Sequence, residues 1–218
     1  MKAELLCCAL ALGCWSSPAF AADAPKAPIK IQDTSFRDAD GHRVQQLTVI
    51  VNAPVKVVWD AFTTDAGFER WAVPVTHITL GNDGMMESSY LLSSKIGDPD
   101  NIKNRIVAYL PEKLLVIRNE HVPKAGPFDP VLIASLRTIM QFEDLGDGRT
   151  RVTESGVGYG ESAGYDSMYA HFRDGNAEEF AALAQSFVTG PVDWKAEAAK
   201  MEASVHKPVA PAAEGAKP

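Results

Sequence analysis

The chain has 218 residues, 46% of them hydrophobic, with 28 acidic against 21 basic side chains and a formal net charge of −7. No basic stripe interrupts this acidic balance, which argues against nucleic acid as a partner. The three cysteines, Cys7, Cys8 and Cys14, all lie close to the N-terminus.

That N-terminus reads as an export signal. Lys2 supplies a positive start, Leu5 to Gly13 form a short apolar run, Ser16-Ser17-Pro18 breaks it, and Ala19-Phe20-Ala21 presents small residues around a cleavage site. The run is too short for a bilayer span, which needs about 20 apolar residues. Cys14 offers an alternative as a lipoprotein acylation site, although Ala11 stands where leucine is usual. Cleavage near Ala21 leaves 197 of the 218 residues, without cysteine, and with the net charge unchanged because Lys2 and Glu4 cancel. Such a product suits one domain. It would act in the periplasm or outside the cell without disulfides, zinc thiolates or a cysteine nucleophile.

Residues 22–43 read as a leader, flexible from Ala22 to Pro28. The domain is expected over 44–190. Val44 to Val51, β-branched and partly alternating, predicts a strand. Val58, Trp59 and Phe62 then recur at helical spacing over Val55 to Phe62, and Asp65 is placed to cap a second short helix bearing Phe68 and Trp71. Six strands follow: Val75 to Leu80, Met86 to Lys95, Lys103 to Leu110, Leu114 to His121, Leu136 to Asp144 and Thr150 to Val157. Most joints between them are short and rich in Gly, Asp, Asn and Pro, so the pairing should be antiparallel. The longer joint, 122–135, carries three prolines and reads as a lid or as a surface insertion. One long amphipathic helix is predicted from Ser162 to Val188. Its apolar face holds Tyr165, Met168, Tyr169, Phe172, Phe180, Leu183 and Phe187, and Gly175 interrupts it. Residues 191–218 form a polar, Pro/Ala-rich tail, with a short helix over Asp193 to Val205. The fold class is therefore α+β: a curved antiparallel sheet of about seven strands wrapped on a long C-terminal helix. One helix cannot cover the whole apolar face of such a sheet, and the uncovered part can become a pocket.

Several segments resemble the START-like (SRPBCC) superfamily. They are Ala53-Pro54-Val55-Lys56-Val57-Val58-Trp59-Asp60-Ala61-Phe62-Thr63, Phe68-Glu69-Arg70-Trp71, Ile96-Gly97-Asp98-Pro99 and Arg149-Thr150-Arg151-Val152-Thr153-Glu154. Within it they resemble the branch named after the C-terminal domain of the ATPase activator of the ninety-kilodalton heat-shock chaperone. The resemblance implies a helix-grip fold with an inner cavity for an apolar or amphipathic ligand. It implies no shared activity, since one fold hosts lipid carriers, receptors, cyclases and chaperone cofactors.

Gly160-Glu161-Ser162-Ala163-Gly164 matches the nucleophile elbow of serine hydrolases. The elbow needs a parallel sheet, whereas these strands read as antiparallel, and Ser162 is also placed to cap the long helix. The histidines are scattered, and no metal is expected. His171 falls far from the apolar face of its helix and reads as solvated.

Polar groups on inward strand faces carry more. Glu154 shares a face with Val152, and a buried carboxyl needs a partner. Arg105 alternates with Val107 and Tyr109, and Arg118 with Leu114 and Val116, so either arginine could pair with Glu154 and hold a ligand's polar end. Alternatively, these strands turn their charges to solvent. The candidate ligand-binding residues are Trp71, Tyr90, Arg105, Tyr109, Arg118, Glu154 and Phe172. The expected function is an exported binding module for a small hydrophobic molecule, needing no cofactor. The alternatives are a cyclase- or hydrolase-type enzyme using Glu154, Tyr109 or Ser162, and a protein-interaction domain marked by an exposed apolar patch.

Overall fold

The computed structural model describes residues 29–205, apart from 82, 125 and 127. The signal-like segment, Cys14 and the tail beyond 205 lie outside the described residues.

The domain begins earlier than the sequence suggests. Two two-residue strands, β1 (Gln32–Asp33) and β2 (Phe36–Arg37), both pair with β3 (Arg43–Val51). Their brevity leaves no alternation to read, so residues 29–43 pass for leader in the sequence. Next come α1 (Val55–Thr63), α2 (Asp65–Glu69), β4 (Val75–Thr79), β5 (Met85–Ser89), β6 (Ile102–Leu110), β7 (Leu114–His121), α3 (Pro130–Ile133), β8 (Arg137–Asp144) and β9 (Thr150–Tyr159). α4 (Ala163–Thr189) and α5 (Trp194–Val205) are the last elements among the described residues. The nine strands form one antiparallel sheet in the order β1-β3-β9-β8-β7-β6-β5-β4, with β2 also on β3.

The two short helices are joined by adjacent threonines. Thr63 donates to the Trp59 carbonyl at 2.8 Å and Thr64 to that of Asp60 at 2.8 Å, which closes α1. Thr64 Oγ1 then accepts from Gly67 N at 3.1 Å and so caps α2. Asp65, expected as that cap, is instead the first residue of the helix. Its carboxylate takes the Ile78 N–H at 2.7 Å and meets His77 Nδ1 at 3.0 Å, fastening α2 to β4.

Strand β5 stops at Ser89, well short of the expected Lys95, because the chain turns around Glu87. The Glu87 carboxylate accepts from Gly97 N at 2.6 Å and from Asn101 Nδ2 at 2.7 Å, organising residues 90–101 as a connector. α4 runs unbroken through Gly175. Ser162 occupies its N-cap position but makes no side-chain cap bond, contrary to the sequence expectation.

The packed interior divides in two. The larger cluster gathers Trp59, Phe62, Trp71, Phe142, Phe180 and Leu183 beneath α1, α2 and the C-terminal half of α4. The smaller gathers Ile133, Leu136, Tyr159 and Met168, with Phe128 and Phe172 against them. Gly158 holds the second in place. Its φ is +96°, and a Cβ there would lie 2.3 Å from the Ser135 carbonyl oxygen. Left-handed backbone and that collision both oppose substitution. Gly158→Ala should lower stability by about 2 kcal/mol or more in urea unfolding, and unchanged stability would show that α3 can move off β9 freely.

Candidate functional site

Between the two clusters lies a cavity of about 450 Å³, within the range of about 300–1,000 Å³ usual for small-molecule pockets. Its floor is the concave face of the sheet. Alternation picks out every second residue there: Met86 and Ser88 on β5, Ile102 and Asn104 on β6, Leu115, Ile117 and Asn119 on β7, Thr138 and Met140 on β8, Glu154 and Gly156 on β9. Phe62, Phe68, Trp71 and Val73 close one end. Val122, Pro123, Phe128, Ile133 and Leu136 close the other, so the 122–135 joint is a wall of the cavity. α4 supplies the roof through Phe172, Gly175, Asn176 and Glu179.

Polar groups gather where β9 and β3 meet α4. Glu154 is buried and accepts a hydrogen bond from Asn176 Nδ2 at 2.6 Å. The same amide reaches Gln45 Oε1 at 3.2 Å, and Gln45 Nε2 donates to the Tyr169 carbonyl at 3.1 Å. One turn along α4, Glu179 accepts from the Tyr90 hydroxyl at 2.6 Å. Burial, and then the nearby Glu179, push the Glu154 pKa up to about 8, while the Asn176 bond opposes the shift. Desolvation likewise raises Glu179, against the bond from Tyr90. Burial beside Glu179 raises the Tyr90 phenol, and burial beside Glu154 raises that of Tyr159. At neutral pH the Glu154 carboxyl is therefore mostly protonated.

Four of the sequence candidates (Trp71, Tyr90, Glu154 and Phe172) line this cavity together. Arg105, Arg118 and Tyr109 do not, and the expected Glu154–arginine pair is not formed. The reason is register. Arg105 and Arg118 are cross-strand partners on the convex face. Both hold Glu120, Arg105 through Nε and through Nη2 at 2.8 Å, Arg118 through Nη2 at 2.7 Å. These bonds, the Arg105 pair first, bring the Glu120 pKa down to about 2. A bulge between Ile106 and Ala108 then breaks the alternation. Tyr109 thus opposes buried Leu115 and packs on the larger core cluster, on the face opposite to Arg105. Ser162 is exposed, following an antiparallel strand, which is the wrong setting for a nucleophile elbow. His171, expected to be solvated, is exposed yet lines the cavity rim, 4.9 Å from the Phe128 ring.

Gln45, Asn176 and Glu179 are not picked out by the sequence reading, although the signal is present. Gln45 alternates with Leu47, Val49 and Val51 on one face of β3. Asn176 and Glu179 fall between Phe172 and Leu183 at helical spacing. All three are polar residues on apolar faces.

A long helix laid across a strongly bent antiparallel sheet, with two short helices after the first long strand and a hollow beneath, defines the helix-grip, or START-like, architecture. Solved structures share it. The Aha1 dimer of Colwellia psychrerythraea matches with a TM-score of 0.52 at 17% identity over 67% of this chain and 97% of that one. A Mesorhizobium loti protein matches at 0.51 and 16% over 67% and 99%. CalU16 of Micromonospora echinospora matches at 0.50 and 16% over 82% and 99%. At such identities the likeness is one of fold. Neither a protein-family model nor a curated protein sequence matches the chain.

Proposed function

We propose that this chain is an exported binding protein that shelters a hydrophobic or amphipathic small molecule in its inner cavity. The observation that carries this reading is the hollow itself. Well-packed interiors leave few voids larger than a water molecule, yet here about 450 Å³ stays open between two cores. Its walls are mainly apolar, with a hydrogen-bonded polar group where β9 meets α4 and single polar side chains at Ser88, Asn104, Asn119, Thr138 and Arg137, and ligand pockets combine apolar lining with a few placed polar groups. Beside Tyr90, the connector also exposes Leu91, Leu92 and Ile96, an apolar approach to that side of the domain. Among the described residues no helix is long and apolar enough to cross a membrane. Export rests on the signal-like start, and fractionation with N-terminal sequencing should find a chain beginning near residue 22.

Gly175 supplies the direct test. It lines the cavity, and a Cβ added there meets nothing within 4 Å. Gly175→Leu should place a side chain in the hollow and also remove the helix-interior penalty of glycine, about 1 kcal/mol. The variant should be at least as stable as the parent and should lose binding of a neutral apolar probe such as N-phenyl-1-naphthylamine. A parent chain that binds no such probe and carries nothing in native mass spectrometry would refute the proposal.

One observation favours an enzyme as the second reading. A carboxyl protonated at neutral pH inside a cavity is suited to act as a general acid. In that case Glu154 would donate to a bound substrate in a cyclase- or hydrolase-type step, and Glu154→Gln would abolish turnover while binding persisted.

A further inference from the structure

The polar corner of the cavity has an asymmetric hydrogen-bonding inventory. Asn176 Nδ2 spends its two protons on Glu154 Oε1 and Gln45 Oε1. Gln45 Nε2 is held by the Tyr169 carbonyl, and the Tyr90 hydroxyl donates to Glu179. Most of the donor protons next to the two carboxyls are therefore committed within the protein; a second Gln45 Nε2 proton and the Tyr159 hydroxyl stand further along the wall. What remains for a guest is chiefly the second oxygen of each carboxyl, an acceptor once the carboxyl is ionised, together with Asn176 Oδ1. Among the described residues, neither Glu154 nor Glu179 has a Lys, Arg or His partner within ion-pair distance, and each carboxyl is met by a neutral donor only. Arg137 also lines the cavity, but its Nη1 is engaged by the carbonyls of Ala134, Ser135 and Leu136 at 3.0, 3.2 and 2.7 Å.

Two neighbouring carboxyls without a cation, one buried and one half-buried, are costly when ionised. A guest that brings its own positive charge removes that cost and also supplies the missing donors. We infer that the cavity takes a ligand whose apolar body ends in a protonated amine, with the ammonium seated against Glu154 and Glu179. The inference rests on the cavity being a ligand site and specifies the chemistry of the guest. A free carboxylate at the same corner would meet like charge wherever either carboxyl is ionised, and an alcohol would bring no charge to balance one.

Binding should then exchange one cation for one proton. Around Glu154 stand Asn176 and Glu179 from α4 and Tyr159 from its own strand; Gln45 of β3 shares the Asn176 amide, Tyr90 of the connector binds Glu179, and Arg43 and Tyr169 lie against Tyr159, with His171 and Arg137 elsewhere on the wall. Of these, Glu179 titrates with it, both acids being raised by burial. Tyr90 and Tyr159 are raised and stay neutral, and Arg43 is paired with Asp166 at 2.6 Å.

The test uses three matched probes, 4-phenylbutylamine, 4-phenylbutanol and 4-phenylbutyrate, titrated calorimetrically into the protein between pH 6 and pH 9. The amine stays protonated over this range, its pKa being about 10.4 like that of lysine. Its affinity should exceed that of the other two at pH 8. It should rise by up to about tenfold per pH unit from pH 6 and level off near pH 8, while the alcohol stays flat. Glu154→Gln should weaken the amine about tenfold or more and flatten its pH dependence, with a much smaller effect on the alcohol. Glu179→Gln, if the first variant folds poorly, should do the same to a smaller degree. Amine affinity that falls with rising pH, or butyrate binding more tightly than the amine, would overturn the inference and leave the cavity reading intact. Failure of all three probes would overturn both.

Discussion

Replacing Glu154 with glutamine should make the protein more stable at pH 9 than the parent chain and remove much of the parent's loss of stability between pH 5 and pH 9. The folded state holds the Glu154 proton up to a pKa of about 8, whereas an exposed glutamate releases it near 4.5. Between those values the native state binds more protons than the unfolded state, so stability must fall as pH rises. The favourable contribution of the neutral carboxyl is complete below about pH 4.5. It declines through the window and is gone above about pH 8. At about 1.36 kcal/mol for each pH unit between the two values, the loss is on the order of 5 kcal/mol, a large part of a typical total of about 5–15 kcal/mol. Glu179, raised by the same desolvation, adds in the same direction. Glutamine keeps an oxygen to accept from Asn176 Nδ2 and cannot ionise. Urea unfolding at pH 5, 7 and 9 measures the effect. The Arg-bound Glu120 does not confuse it. Lowered to about 2 in the fold, that carboxyl contributes stability above about pH 4.5 that disappears only in acid. A parent chain as stable at pH 9 as at pH 5 would mean that water reaches Glu154.

The acid most responsible for this behaviour is legible in the sequence, and its partner is not. Glu154 can be placed indoors because Val152 fixes the face of β9 and alternation does the rest. The same rule, carried through Val107 with no sign of the bulge, points to Arg105 on β6; Arg118 on β7 is misplaced for a simpler reason, since Leu114 and Val116, which share its face, lie on the convex side. One extra residue reverses every face beyond it, and nothing about Val107 announces that it is the extra one. The true partner, Asn176, comes from the helix, at a position whose polarity looks like a break in an apolar stripe. The general form of the fold survives such local errors because it depends on long, repetitive signals: six strands with turn chemistry between most of them, then one long helix. The early strands β1 and β2 lack any such signal. Their place is set only by the edge of β3, which a linear reading does not see. The hollow follows from area alone. Its polar corner does not, since that needs three elements brought together in space.

Phe62 should show how closely the hollow and the larger core share one wall. The ring is fully buried, 5.0 Å from Trp71 and 5.2 Å from Phe142 between centroids, and it also lines the cavity. Trp71 is itself fixed by its indole N–H on the Ala61 carbonyl at 2.9 Å. The walls around a missing Phe62 ring therefore cannot easily collapse inward. Phe62→Ala should cost about 3–5 kcal/mol, towards the upper part of that range, because the penalty grows with the volume left unfilled. The new space joins the existing cavity rather than forming a separate void. An aromatic guest too bulky for the parent should consequently bind the variant and return part of the lost stability, about 2.7 kcal/mol at a hundredfold excess over its Kd. Phe180→Ala provides the contrast. Phe180 is as deeply buried in the same cluster but does not line the cavity. Its loss should cost a similar amount and leave the size preference for guests unchanged. Thermal unfolding of both variants with and without a series of substituted benzenes and naphthalenes would separate these outcomes. Equal rescue of the two would mean that the cavity and the core are not divided at Phe62, and that the end wall lies elsewhere.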